Sequence, residues 1–92
     1  METEKIELKE TAEMMSSEDY KERFKAEYYQ VAIRYRKLKK MVDNWDNLDF
    51  KPTMPKVVYD DQLEIMEKYI NLLEIRAAAE QVELDTTQKQ YQ

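Results

Sequence analysis

The chain contains no glycine, histidine or cysteine among its 92 residues. These absences exclude disulfides, zinc fingers, thiol nucleophiles, serine–histidine triads and haem ligation by histidine. Tight hairpin turns and phosphate-binding loops are disfavoured too, because both usually need glycine at positive φ. The composition therefore predicts a helical protein that is not an enzyme and carries no metal or cofactor.

Proline is scarce as well, and its two positions, Pro52 and Pro55, lie close together near the middle of the chain. Proline donates no backbone hydrogen bond and moves the preceding residue away from helical dihedrals. The two prolines therefore mark a turn. We expect one helix over about 18–44, a turn over 45–55 and a second helix over about 56–83.

Both predicted helices carry apolar side chains at alternating steps of four and three residues, the spacing of a heptad seam between two helices. In the first helix these residues are Phe24, Tyr28, Val31, Tyr35, Leu38, Val42 and Trp45, and in the second Tyr59, Leu63, Met66, Ile70, Leu73 and Ala77. Two such helices, each about 40 Å long, would pack side by side across the turn. The predicted fold is all-α, an antiparallel two-helix hairpin over 17–84.

The two ends of the chain have few large apolar residues. Residues 1–16 alternate acids and lysines, which predicts an acidic flexible arm. Residues 85–92 are polar, and we expect a frayed tail.

The second predicted helix has another row at heptad spacing beside its seam: Val58, Gln62, Ile65, Tyr69, Leu72, Arg76 and Ala79. One partner helix cannot cover both rows, and monomers seldom expose such a face. We therefore expect self-association through Ile65, Tyr69, Leu72 and Arg76. The N-terminal arm or a different protein is the alternative cover.

Charge is unevenly distributed along the chain. The net charge is −5, yet residues 21–42 hold eight basic and two acidic residues. The overall charge opposes general nucleic-acid binding, and we expect no sequence-specific binding of nucleic acid. The basic cluster Arg34, Arg36, Lys37, Lys39 and Lys40 suits a solvated helix end. The alternative is an anion patch at Arg36, Lys39 and Lys40, which a helical wheel places on the outer face.

The acidic turn after Asp43 does not follow a calcium loop, because glycine is absent and Met54 stands where the last glutamate ligand would be. No apolar run approaches the roughly 20 residues that span a bilayer. We expect a cytoplasmic protein without membrane contact.

A wider pattern of spacing and turn residues resembles a set of short uncharacterised proteins of phages and prophages of Gram-positive bacteria. The resemblance covers about residues 18–84. It rests on Tyr28, Arg34, Tyr35, Lys37, Leu38, Met41, Leu48, Phe50, Pro52, Pro55, Gln62, Met66, Tyr69, Leu73, Glu74, Arg76, Ala77 and Glu80. It implies a phage accessory role in the host bacterial cytoplasm.

Three functions are compatible with these observations. The favoured hypothesis is stoichiometric binding of a host protein, such as a defence factor that the chain inhibits. The second is a sponge for a small anionic, nucleotide-like ligand. The third is a structural or assembly protein.

Overall fold

The computed structural model describes residues 5–91. Its three helices are α1 (Leu8–Met15), α2 (Tyr20–Asp43) and α3 (Lys56–Glu80), with short 3-10 turns at Trp45–Asn47 and Thr86–Lys89. No strand occurs within 5–91, so the predicted all-α class is confirmed. None of the helices described is long and apolar enough to cross a membrane.

Helix α2 begins where polar side chains satisfy its first backbone amides. The Asp19 carboxylate accepts a hydrogen bond from the Lys21 amide at 2.9 Å, and the Ser17 hydroxyl accepts from the Asp19 amide at 3.0 Å. Such capping removes the cost of unpaired amides at a helix start. The sequence predicted this start close to its observed position.

Tyrosine hydroxyls that donate to carboxylates join α2 to α3. Tyr20 donates to Glu80 at 2.7 Å, Tyr28 to Glu74 at 2.7 Å and Tyr35 to Glu67 at 3.3 Å, while Tyr69 of α3 donates to Glu27. Because partners late in α3 meet residues early in α2, the two helices run antiparallel. These pairs fix the register of the helices along their length.

The apolar core lies beneath these pairs. Its buried members come mainly from α2 and α3: Phe24, Tyr28, Tyr29, Ala32, Ile33, Ile70, Leu73, Ala77 and Val82. Five of these nine residues belong to α2, which also contacts α1, α3 and the C-terminal 3-10 turn. Helix α2 is therefore the central element of the fold.

The N-terminal segment differs from the predicted flexible arm. Residues 1–4 of that arm lie outside the described residues, but Leu8–Met15 form α1. The Thr11 side chain is buried, and its hydroxyl accepts a hydrogen bond from the side-chain amide of Gln30 at 3.3 Å. Ile6, Leu8 and Met14 pack against the core. These few apolar groups are enough to order the segment because they pack on the surface of α2. The composition of the segment alone does not reveal that surface.

The C-terminal segment likewise differs from the predicted frayed tail. Helix α3 ends at Glu80 and is capped by Gln81, whose φ of 59° is left-handed, a conformation that usually favours glycine. The Val82 amide then bonds to the Ala77 carbonyl at 2.9 Å, and the chain returns to α2. Gln88 is buried in the turn that follows. The fold is thus larger than a two-helix hairpin.

The tyrosine–carboxylate pairs predict a loss of stability in alkali. Burial, with the bond to Glu74, raises the pKa of Tyr28 above its ordinary 10.0. The unfolded chain releases this proton near pH 10 while the folded chain keeps it, so the free energy of unfolding should fall as the pH rises above about 10. Urea denaturation at pH 8 and pH 10.5 measures this loss.

Tyr28→Phe should reduce that alkaline loss, because it removes the hydroxyl that the fold keeps protonated. Tyr20→Phe is the matched control and should reduce it less, because Tyr20 is exposed to water. Equal losses of unfolding free energy between pH 8 and pH 10.5 in wild type and in Tyr28→Phe would contradict the assignment of the alkaline loss to Tyr28.

Candidate anion-binding site

The most unusual polar group in the structure is the guanidinium of Arg36, in the C-terminal half of α2. Arg36 is only 6% exposed. Its Nη1 donates to the backbone oxygen of Gln88 at 3.0 Å and to Gln88 Oε1 at 3.1 Å, and its Nη2 donates to the backbone oxygen of Ile6 at 3.1 Å. All three acceptors are carbonyl oxygens, which satisfy the donors of a guanidinium without neutralising its charge.

The prediction that Arg36 lies on the outer, solvated face of its helix is wrong. A wheel drawn for two helices leaves that face uncovered, whereas the chain covers it with residues from both ends. The Ile6 amide donates to Gln88 Oε1 at 2.8 Å, and Lys5 Nζ donates to the Thr87 carbonyl at 2.6 Å. The two ends of the described chain therefore meet over Arg36.

A recess opens beside this junction, and we call it the basic recess. It has a volume of about 240 Å³ and is lined by Lys5, Arg36, Lys37, Lys40 and Tyr91. Four of its five lining residues are cations. Lys37 lies 4.0 Å from Glu7 with more than half of each side chain exposed, so water screens that pair. The recess is therefore electropositive within an acidic protein.

A second cavity shares Tyr91 with the basic recess, and we call it the tyrosine pocket. Its volume is about 570 Å³, within the range of small-molecule sites. Its lining residues are Tyr35, Lys39, Glu67, Ile70, Asn71, Lys89, Gln90 and Tyr91. It combines two aromatic rings, a buried aliphatic floor at Ile70 and an amide at Asn71. Such a lining suits a planar, partly polar ring.

Both cations of the tyrosine pocket have acidic partners, at shorter distances than the Lys37–Glu7 pair of the recess. Lys89 lies 2.8 Å from Glu74, and Lys39 lies 3.1 Å from Asp43. Asp43 also accepts a hydrogen bond from the Tyr91 hydroxyl, and the bonds from Tyr91 and Lys39 lower the pKa of the Asp43 carboxyl. The contact with Asp43 also holds the ring of Tyr91 at the boundary of the two cavities.

The predicted anion patch is thus divided by the structure. Arg36 and Lys40 line the basic recess together, whereas Lys39 lines the tyrosine pocket and pairs with Asp43. Arg34, another member of the predicted basic cluster, lies in a separate groove between α2 and α3 that also contains Glu27. Spacing along one helix could identify Arg36 and Lys40.

Lys5 and Tyr91 could not be identified in the same way, since they reach the recess from opposite ends of the chain. The only local signal was the polar tail that follows Leu84, which gives no indication of a return to α2. Gln88, the residue that brings the tail to Arg36, was not singled out.

The predicted interface residues lie on α3. Ile65 and Leu72 are exposed on its outer face. Tyr69 and Arg76 lie at its edge and make contacts within the chain: Tyr69 with Glu27, and Arg76 with Glu80, Tyr20 and the ring of Phe24. None of the four lines the basic recess.

Gln88 supports the recess, and its loss should destabilise the fold. Gln88→Ala removes one acceptor of Arg36 and the acceptor of the Ile6 amide. Leaving such buried donors short of a partner costs about 1–3 kcal/mol. Urea denaturation should show that loss, whereas the exposed neighbour Gln90→Ala should change stability by less than about 0.5 kcal/mol. Equal effects of the two substitutions would contradict this role.

Comparison with known proteins identifies a family. A search of curated proteins and a search of solved structures find no match. A family model described as Sequestin matches residues 18–79, which include α2, the turn and most of α3. This stretch lies within the region of the sequence resemblance. The chain belongs to the Sequestin family.

Proposed function

We propose that this protein acts by stoichiometric binding, without catalysis, and that it sequesters a small anionic, nucleotide-like ligand. The observation that carries the proposal is the basic recess, in which four cations converge and the charge of buried Arg36 meets only carbonyl oxygens among its hydrogen-bond acceptors. The family name, Sequestin, is consistent with a sequestering role.

The two cavities suggest how the ligand divides between them. Phosphate oxygens suit the basic recess, because lysines and arginine bind phosphate through charge-assisted hydrogen bonds. A base suits the tyrosine pocket, where Tyr35 and Tyr91 offer aromatic faces for stacking. Tyr91 lines both cavities and would contact both parts of the ligand.

Duplex nucleic acid is a poorer ligand for the same surface. The recess is small, and the net charge of −5 opposes an extended phosphate backbone. A compact anion reaches the local cations without approaching the acidic remainder of the chain. The proposed selectivity is therefore for small anions.

Binding without turnover also fits the chemistry of the lining residues. The chain has neither histidine nor cysteine, and the basic recess is lined by no carboxylate. The groups that line it hold an anion but offer no general base at neutral pH. A sequestering protein needs no more than this.

The wider biological setting belongs to the same proposal. The resemblance to phage and prophage proteins supports the cytoplasm of a bacterial host as the place where the protein acts. Removal of a nucleotide-like host ligand there would act against the host cell, for instance against a defence response. The alternative target, a host protein, would need a surface other than the recess.

Isothermal titration calorimetry of the full chain with ADP tests the proposal. We expect saturable binding at a fixed molar ratio, and ADP recovered unchanged after long incubation. Pyrophosphate should bind more weakly than ADP because it lacks the base. Adenosine should bind weakest of all because it lacks the phosphates.

Lys40→Gln should weaken ADP binding about tenfold, the loss of one charge-assisted contact. The matched control is Lys51→Gln, which removes an exposed lysine in the turn between α2 and α3. Absence of ADP and pyrophosphate binding, or equal affinities of the two variants, would contradict the proposal. A co-purified host protein in place of anion binding would support the alternative target.

A further inference from the structure

Helix α3 exposes an apolar stripe along its outer face. Val58, Ile65, Leu72 and Ala79 recur every seven residues, and Ile75 lies beside them. Ile65 is 67% exposed, Leu72 60% and Ile75 66%. We call Val58, Ile65, Leu72, Ile75 and Ala79 the outer stripe.

The rest of the described chain does not cover this stripe. Helix α3 packs on α2 through the opposite face, where Ile70, Leu73 and Ala77 are its three buried residues. Helix α1 and the C-terminal 3-10 turn pack mainly against α2. Soluble monomers rarely leave so continuous an apolar surface in water.

The charges beside the stripe fit a second copy of the same helix. Asp61 and Glu64 are acidic, while Lys68 and Arg76 are basic, so the charges of this face cancel. A parallel pair would place Asp61 against Asp61 and Lys68 against Lys68. An antiparallel pair in which Ile65 faces Leu72 places Asp61 opposite Arg76, and this occurs twice in a symmetric dimer.

The other residues agree with that antiparallel register. Val58 then faces Ala79, a large residue against a small one, and Lys68 lies beside Tyr69 close to the two-fold axis. Arg76 is held at the edge of α3 by Glu80, at 3.3 Å from Nε, while its side chain is 49% exposed. Its guanidinium can therefore bind Asp61 of the second copy while it stays paired with Glu80 of its own chain.

We propose that the protein forms a symmetric dimer in which the outer stripes of two antiparallel α3 helices pack together. The stripe supplies the apolar contact, and the Asp61–Arg76 pairs select the antiparallel arrangement. The basic recess of each copy remains open, since none of its lining residues lies on α3. The dimer would present two basic recesses and does not depend on the proposed ligand.

Sedimentation equilibrium of the full chain tests the dimer. Wild type should have twice the monomer mass of 11.2 kDa. The double substitution Ile65→Glu with Leu72→Glu should give a helical monomer. The matched control, Phe50→Glu with Met54→Glu, adds the same charges to exposed apolar residues of the turn and should leave the dimer intact. A monomeric wild type, or a dimeric stripe variant, would overturn the proposal.

Should the double variant fail to fold, Asp61→Lys provides an independent test. Asp61 is exposed and forms no part of the core, so this variant keeps its helicity while placing a like charge against Arg76. The dissociation constant of its dimer should be at least tenfold larger than that of wild type. An unchanged dissociation constant would overturn the antiparallel register.

The absence of cysteine allows the register to be tested by disulfide formation. Lys68→Cys lies close to the two-fold axis and should cross-link two copies under oxidation. Val58→Cys lies far from its own counterpart in the antiparallel pair and should not cross-link. In a parallel pair, Val58→Cys would also meet its counterpart. Cross-linking of Val58→Cys, or none by Lys68→Cys, would overturn the proposal.

Discussion

The burial of Arg36 is the constraint on which the arrangement of the chain depends. A guanidinium loses its water when it is buried, and hydrogen bonds must replace that water. The replacements come from Ile6 and Gln88, which lie near opposite ends of the chain. Both end segments must therefore return to α2. As a result, α2 is covered by α1 and the C-terminal turn as well as by α3.

The same interaction joins structure to function. Because carbonyl oxygens satisfy Arg36 without cancelling its charge, the recess next to it stays electropositive. Lys5 and Tyr91 come to the recess with the end segments, while Lys37 and Lys40 come with α2. The proposed ligand site is thus made of parts that are far apart in sequence. Of the two cavities, helix α3 lines only the tyrosine pocket, through Glu67, Ile70 and Asn71, and its outer stripe stays free for contact with another molecule.

The sequence was most informative where a local pattern determines local structure. Pro52 and Pro55 separate two runs of heptad spacing, and this sufficed to predict α2 and α3 near their observed bounds. Exposure of Ile65 and Leu72 on α3 also followed from the second heptad row. Each of these features depends on neighbours within one helix.

Features that depend on distant parts of the chain could not be predicted in this way. Helix α1 owes its stability to the packing of Ile6, Leu8 and Met14 on α2, and a composition count gives such a short segment too little weight. Arg36 was placed in solvent because nothing in the tail indicates that Gln88 returns to it. The chain turns back after α3 at Gln81, which adopts a left-handed conformation. The sequence has no glycine that could have marked this turn.

The amide of Ile6 offers the most direct measurement of the central claim, that both ends of the chain close over Arg36. This amide donates to Gln88 Oε1 in a segment outside any helix, so helical structure cannot protect it. Amide hydrogen exchange measured by NMR should show Ile6 exchanging far more slowly than an unstructured peptide, and more slowly still with ADP bound. Exchange of Ile6 at the rate of an unstructured peptide would contradict the account.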